Sequence, residues 1–405
     1  MFKPTFSILA LTVALTLGAC ATTPTPSSRA DRPDRVILIS IDGFRDDYLN
    51  RGATPVLDRL AAEGAHGPMR PSWPSVTFPN HYTLVTGLHP DHHGIVSNRF
   101  FDPTLGTFTM QSKETAWWDQ AEPIWVTAEK AGLKTGTMFW PGSEVEIHGV
   151  RPSQWLAFDQ SMSGDARVDQ ILSWLDLPVD QRPQLGTLYF DIVDTIGHRY
   201  GPDAPETLEA AASVDASIGR LVEGLKSRGL SDSTLLVVVA DHGMAATSPE
   251  RVVWIDDLID PEQLRIGYSG AVLTVDPAPG HEAEVQAKLV GEHPHMECRN
   301  KADVPTRLAY GSNPRVAAIV CLVETGWVAV TRDRPLTRAG GAHGYDNQAP
   351  EMRAVFIAHG PGVVAGRRLT DLDSVDVQPF LARMLGVQAP VGDGRPQDTL
   401  AITQR

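Results

Sequence analysis

Val36-Ile37-Leu38-Ile39-Ser40-Ile41 runs straight into Asp42. A short, continuous aliphatic run of this kind predicts a strand buried on both faces, as in a parallel sheet. Two further runs end in the same way. Leu188-Tyr189-Phe190 leads to Asp191 and Asp194, with His198 just beyond, and Leu235-Leu236-Val237-Val238-Val239-Ala240 leads to Asp241-His242. Gly341-Ala342-His343-Gly344 adds another imidazole. In an open α/β sheet, ligands bind outside the carboxyl ends of the strands. Asp and His side chains at several strand ends therefore predict a metal site assembled from distant segments.

Between these runs, strand-like and helix-like patterns alternate, which predicts an α/β fold. Helices are expected at residues 54–64, where Val56, Leu57, Leu60 and Ala61 form the stripe and Gly64 the cap, and at 79–88, with Thr77 just before the start. Further helices are expected at 124–132, 207–228 and 375–385. In the 207–228 helix Val214, Ile218, Leu221 and Leu225 share a face and Gly229 ends it. Strands are expected at 134–139 and 352–358. Residues 245–340 read differently: short strands at 272–275, 316–323 and 327–331, and a helix at 281–291, suggest a small α+β insertion. The expected organisation is a catalytic core of 35–244 and 341–405 interrupted by a 245–340 cap.

The N-terminus reads as a targeting segment. Lys3 precedes an apolar stretch from Phe6 to Leu17, too short to span a bilayer comfortably, and Leu17-Gly18-Ala19-Cys20 follows. The ending resembles a bacterial lipoprotein cleavage box, with Cys20 as the lipidated first residue; ordinary cleavage beside Ala19 or Ala21 is the alternative. Residues 1–19 are thus expected to be a signal peptide and 20–34, rich in Thr, Pro and Ser, a tether. Export to the periplasm with attachment through Cys20 is the expected location. Cys298 and Cys321 remain, as one disulfide or as two buried thiols. With 35 Lys and Arg against 49 Asp and Glu, the formal charge of −14 and the lack of a basic block argue against duplex nucleic acid as a partner. They do not argue against an anionic substrate, since bound cations invert the local field.

Asp42, Asp194, His198, Asp241, His242 and His343 supply three carboxylates and three imidazoles, enough for two cations. Asp194 and His198, four residues apart, can face one point from a single helical turn. Mixed oxygen and nitrogen donors suit zinc first, then manganese or iron. Taken singly, each such Asp is a cap or turn residue and each His a surface or core residue; the joint pattern makes the metal reading. Thr77, in Pro74-Ser75-Val76-Thr77-Phe78-Pro79-Asn80-His81, would lie at the positive end of a helix. It is either an N-cap or a nucleophile, and a neighbouring metal would make its hydroxyl reactive.

These segments together resemble the nucleotide pyrophosphatase/phosphodiesterase family of the alkaline phosphatase superfamily. The matching stretches are Ile41-Asp42-Gly43-Phe44-Arg45, Thr77-Phe78-Pro79-Asn80-His81, Thr86-Gly87-Leu88-His89-Pro90 through His93-Gly94-Ile95, Asp194-Thr195-Ile196-Gly197-His198, Ala240-Asp241-His242-Gly243-Met244 and Gly341-Ala342-His343-Gly344-Tyr345-Asp346. The resemblance implies an alkaline-phosphatase-like core with a mostly parallel central sheet between helices. It implies one zinc on Asp194, His198 and His343, and a second on Asp42, Asp241 and His242, with Thr77 against the second. It implies that Asn98 donates to a phosphate oxygen and that Phe78 and Tyr189 sandwich a nucleobase. Without the family, Asn98 reads as a turn residue and Tyr189 as a core strand residue. The implied reaction is hydrolysis of phosphodiester and phosphoanhydride bonds in nucleotides through a threonyl-phosphate, releasing nucleoside 5′-monophosphate.

Four alternatives stand beside it. A sulfatase would carry a Cys or Ser at the position of Thr77, and a phosphomonoesterase would need cationic groups around two terminal oxygens that the sequence does not offer. Hydrolysis of lipid or choline phosphodiesters would use the same metal set with a different pocket. A binding module that captures nucleotides without turnover would differ in lacking activity.

Overall fold

The computed structural model describes Met1 and residues 32–403. The expected signal peptide, Cys20 and most of the tether lie outside the described residues. Among the described residues the central sheet has nine strands. Eight lie in the order Arg367–Arg368, Ala65–Arg70, Ala354–His359, Thr234–Val239, Arg35–Ile41, Leu185–Phe190, Thr135–Met138, Gln154–Leu156, and Leu372–Asp373 also pairs with Ala65–Arg70. Pairings are parallel except at Ala354–His359, which runs antiparallel to both neighbours. Every residue of Arg35–Ile41, Leu185–Phe190 and Thr234–Val239 is buried, as a sheet covered by helices on both faces demands. Pro55–Glu63, Gly164–Leu175, Ile192–Tyr200 and Pro205–Ser227 pack together, and Thr77–Thr86, Ile124–Lys130 and Val377–Leu385 form a second group. The mostly parallel central sheet between helices is as expected.

Register places the site. Ile41 pairs with Phe190 and Ser40 with Val239, so the three central strands end level with one another. Asp42, Asp191 and Asp241 consequently emerge on one edge.

Several local expectations shift. The helix expected from Pro79 begins at Thr77 and ends at Thr86, with Gly87 left-handed after it. Val76, extended, takes the N-cap position, and Pro79 falls in the first turn, where an amide proton would have no helical acceptor. Gly64 does follow the Pro55–Glu63 helix, but at φ −107°, not in the left-handed region. A Cβ there would lie 2.3 Å from the Ala358 carbonyl, so close approach to the sheet requires the glycine. The segment 327–331 contributes Val328–Val330, which pairs with Val252–Trp254. Ala65–Arg70 contains Gly67 and Pro68 and gave no strand signal; its pairing is set by its neighbours in the sheet. The Gly164–Leu175 helix was likewise missed.

A second sheet is antiparallel and five-stranded: Leu264–Tyr268, Val272–Pro277, Ile319–Val323, Met296–Asn300, Gly291–His293. With the Glu282–Leu289 helix it encloses Leu273, Val275, Val285 and Leu289. Cys298 and Cys321 sit opposite each other on adjacent strands and are disulfide-bonded. Yet Val304, Leu308, Tyr310 and Val320 belong to the main core, and buried Arg315 pairs with Asp102 and donates to the Gly94 and Trp117 carbonyls. The 245–340 segment is thus bound into the main body along part of its length. Among the described residues no helix is long and apolar enough to cross a membrane.

Candidate active site

Asp194, His198 and His343 meet on one side. Asp194 and His198 lie one turn apart on the Ile192–Tyr200 helix, while His343 follows the short Gly340–Ala342 strand. His343 Nε2 is 3.0 Å from His198 Nε2, and each is 3.5 Å from Asp194 Oδ1. Both imidazoles donate from Nδ1 to a carbonyl, His198 to Gly341 at 2.8 Å and His343 to Ser75 at 2.9 Å. Their Nε2 lone pairs therefore face each other and a carboxylate oxygen that has no hydrogen-bond partner among the described residues. Three electron-rich atoms so placed repel unless a cation lies among them. Those separations, 3.0, 3.5 and 3.5 Å, leave a point about 1.9 Å from all three, near the roughly 2.0–2.2 Å of zinc bonds to nitrogen and oxygen.

Asp42, Asp241 and His242 meet beside them. His242 Nε2 lies 3.0 Å from Asp241 Oδ2 and 3.5 Å from Asp42 Oδ1. His242 Nδ1 donates to the Gly243 carbonyl at 2.9 Å. Asp42 Oδ1 and Asp241 Oδ2 are buried without a hydrogen bond of good geometry. The His242 and His343 rings stack at 3.6 Å, so the two groups adjoin. Asp194 also lies within ligand reach of Asp42 and His242. Without a cation, burial and the charges of Asp241 and Asp194 push Asp42 well above the usual carboxylate range. Burial opposes the ionised form of Asp241 as well, but His242 and His81 hold it well below that range. Burial and the neighbouring His242 and His198 push His343 well below an ordinary imidazole. The donor set fits metal cations: buried carboxylate oxygens without a well-formed hydrogen bond among the described residues, and imidazoles fixed in the tautomer that exposes Nε2.

Thr77 completes the group. Its side chain caps no backbone amide; Oγ1 lies 3.3 Å from His242 Nε2. That favours the nucleophile reading over the N-cap. Asn98 Oδ1 accepts from the Phe78 amide at 2.8 Å, and among the described residues its Nδ2 has no partner. The amide is thus oriented with its donor free. Gly43 joins the two halves: its amide donates to Asp241 Oδ1 at 3.2 Å, and at φ +70° a Cβ would lie 3.1 Å from the Asp194 backbone.

Two expectations need correction. Tyr189 is not free to stack on a base. It is 9% exposed and its hydroxyl donates to Asp42 Oδ2 at 2.6 Å, which orients that carboxylate. The exposed aromatic beside it is Phe158, 48% accessible and 5.9 Å from the Tyr189 ring. Nothing in Ala157-Phe158-Asp159 marked it in the sequence. His81 was also left out of the ligand group. It is buried, with Nδ1 3.2 Å from Asp241 Oδ2 and 3.0 Å from the Thr77 carbonyl, and Nε2 2.8 Å from Ser40 Oγ. Its four-residue spacing from Thr77 on one helix was the available signal. Phe78 is partly buried and packs 6.2 Å from both Phe108 and Trp118.

The family model described as Type I phosphodiesterase / nucleotide pyrophosphatase matches residues 36–346, a span that contains every residue of this site. The chain belongs to the nucleotide pyrophosphatase/phosphodiesterase family. An uncharacterized pyrophosphatase/phosphodiesterase of Schizosaccharomyces pombe is 38% identical over 391 residues, 91% of this chain and 80% of that protein. Bovine ectonucleotide pyrophosphatase/phosphodiesterase family member 3 is 37% identical over 376 residues, 89% of this chain but only 43% of its own length. The chain thus spans less than half of several longer relatives. Human ectonucleotide pyrophosphatase/phosphodiesterase 5 superposes with a TM-score of 0.88 at 32% identity, covering 92% of this chain and all of that one. The murine counterpart, at 34% identity, 91% and 100% coverage and the same TM-score, has been solved as an inactive threonine-to-alanine variant in complex with AMP. As a member of this family the protein is a metal-dependent hydrolase of the phosphodiesterase class.

Proposed function

We propose that this protein hydrolyses phosphodiester and phosphoanhydride bonds of nucleotides, releasing nucleoside 5′-monophosphate, with Thr77 as nucleophile and two divalent cations, zinc first. One observation carries the reading: three buried carboxylate oxygens without a hydrogen bond of good geometry among the described residues, and three imidazoles anchored through Nδ1, converge beside the Thr77 hydroxyl. Asp194, His198 and His343 would hold one cation, and Asp42, Asp241 and His242 the other. Such cations supply Lewis-acid stabilisation of the attacking and leaving oxygens. Thr77 Oγ1 attacks phosphorus, the leaving oxygen departs in line, and water then cleaves the threonyl ester. Asn98 Nδ2 donates to a non-bridging oxygen. Phe78 and the exposed Phe158, in place of Tyr189, offer faces to a base; the AMP complex of the murine relative supports a nucleotide.

We place the mature chain outside the cytoplasm, attached through Cys20. The Cys298–Cys321 disulfide supports an oxidising compartment. The test is kinetic. Bis(p-nitrophenyl) phosphate should be cleaved much faster than p-nitrophenyl phosphate, and Thr77→Ala should abolish turnover of both. A nucleoside triphosphate and a dinucleotide should outperform lysophosphatidylcholine. The reverse order would replace the nucleotide reading with the choline phosphodiester one.

A further inference from the structure

Asp191 ends its strand level with Asp42, yet both its oxygens are taken. Oδ1 accepts from Arg167 Nη1 at 2.8 Å and Oδ2 from Gln160 Nε2 at 3.0 Å. Arg167 lies in the first turn of the Gly164–Leu175 helix and is 3% exposed. Its Nε donates to the Met162 carbonyl and its Nη1 also to the Tyr189 carbonyl, both at 2.9 Å. Its guanidinium lies 5.2 Å from the Phe139 ring and 5.9 Å from the Phe158 ring. Phe139 and Phe158 meet edge to face at 5.3 Å. A buried ion pair is a costly way to fill space, and apolar side chains would pack as well. The planar fork does what they cannot: it holds the 158–162 segment by a carbonyl, by an aromatic ring and, through Asp191, by Gln160.

We infer that Arg167, anchored by Asp191, is the positioning residue that sets Phe158 against the metal site and so favours substrates bearing a nucleobase. This rests on the nucleotide reading of the site. The test compares thymidine 5′-monophosphate p-nitrophenyl ester with methyl p-nitrophenyl phosphate, which has no base. Given the strength of base–aromatic stacking, Phe158→Ala should raise KM for the nucleoside ester about tenfold. Arg167→Lys keeps the charge and loses the fork. It should raise that KM about fivefold more than KM for the methyl ester, with kcat for both nearly unchanged, the expected result of removing uniform binding. Adding Arg167→Lys to Phe158→Ala should raise KM no further, as for two residues acting through one contact. Equal losses on both substrates, or an additive loss in the double variant, would overturn the inference. Asp191→Asn should give the same split if Arg167→Lys does not fold, and unchanged kinetics there would also overturn it. If Phe158→Ala has no effect while Thr77→Ala abolishes turnover, this inference fails and the hydrolase reading stands. If Thr77→Ala retains turnover, the mechanism proposed above fails on its own.

Discussion

Asp42 and Asp191 leave the sheet side by side, from strands paired Ile41 to Phe190, and their surroundings differ completely. Asp42 meets a tyrosine hydroxyl on one oxygen and only electron-rich atoms around the other. Asp191 meets a guanidinium and an amide. The first is poised for a cation the chain does not itself supply; the second has its cation built in. A strand end provides proximity, and the partner decides the role. Asp376 makes a third case: a buried carboxylate balanced by backbone amides of Asp373 and Arg395.

The comparison breaks most readily at Asp42. Asp42→Asn should lower activity by about a thousandfold or more, the scale on which two-metal electrostatic stabilisation operates, and should lower metal content measured by elemental analysis. Asp191→Asn should leave metal content unchanged; equal metal loss in both variants would erase the distinction. Chelation with EDTA should abolish turnover, zinc should restore it, and fewer than two ions per chain at full activity would contradict the paired site.

Gly43→Ala should be the most damaging substitution that touches no donor atom. It demands φ +70° of an alanine and drives a methyl group against Asp194. A loss of about 1–3 kcal/mol in unfolding free energy is expected for such strain, read by urea denaturation. Tyr189→Phe is gentler. It removes only the hydrogen bond that orients Asp42, so metal affinity should fall about 10- to 100-fold, the usual cost of losing such a partner. Competition with a fluorescent chelator would measure it, and unchanged affinity would return Tyr189 to a plain core role.

Asp376 is tested through pH. Burial pushes its carboxyl up to about 6 from an ordinary 3.8. Because the folded value exceeds the unfolded one, its contribution to stability is complete below about pH 4 and is lost as pH rises through about 6. Wild type should therefore lose stability relative to Asp376→Asn across that window; parallel curves would show that the two backbone amides suffice to keep it ionised.

Much of this was legible in the chain. The strand ends, the Asp194–His198 spacing and the Thr77 motif singled out side chains that the fold brings together, because short local patterns encode them. The role of Tyr189, and any role for His81, escape a sequence reading for a common reason. Each acts through one atom on a neighbour distant in sequence, Asp241 from His81 and Asp42 from Tyr189, and no local spacing reports such a contact. Phe158 was invisible because exposure beside a site belongs to the surface and not to the residue. The Ala65–Arg70 strand contradicts local propensity and exists through its partners in the sheet.

By itself, then, the sequence determined an α/β sheet with metal-type side chains at its strand ends, since hydrophobic runs and the residues that end them are local properties. Only the tertiary structure decided which of those side chains lack partners. Register brought Asp42 and Asp191 to the same level, and packing placed Arg167 beside one of them and not the other. In a buried site that difference outweighs residue type, because an unpaired charge there is costly until a cation arrives to balance it.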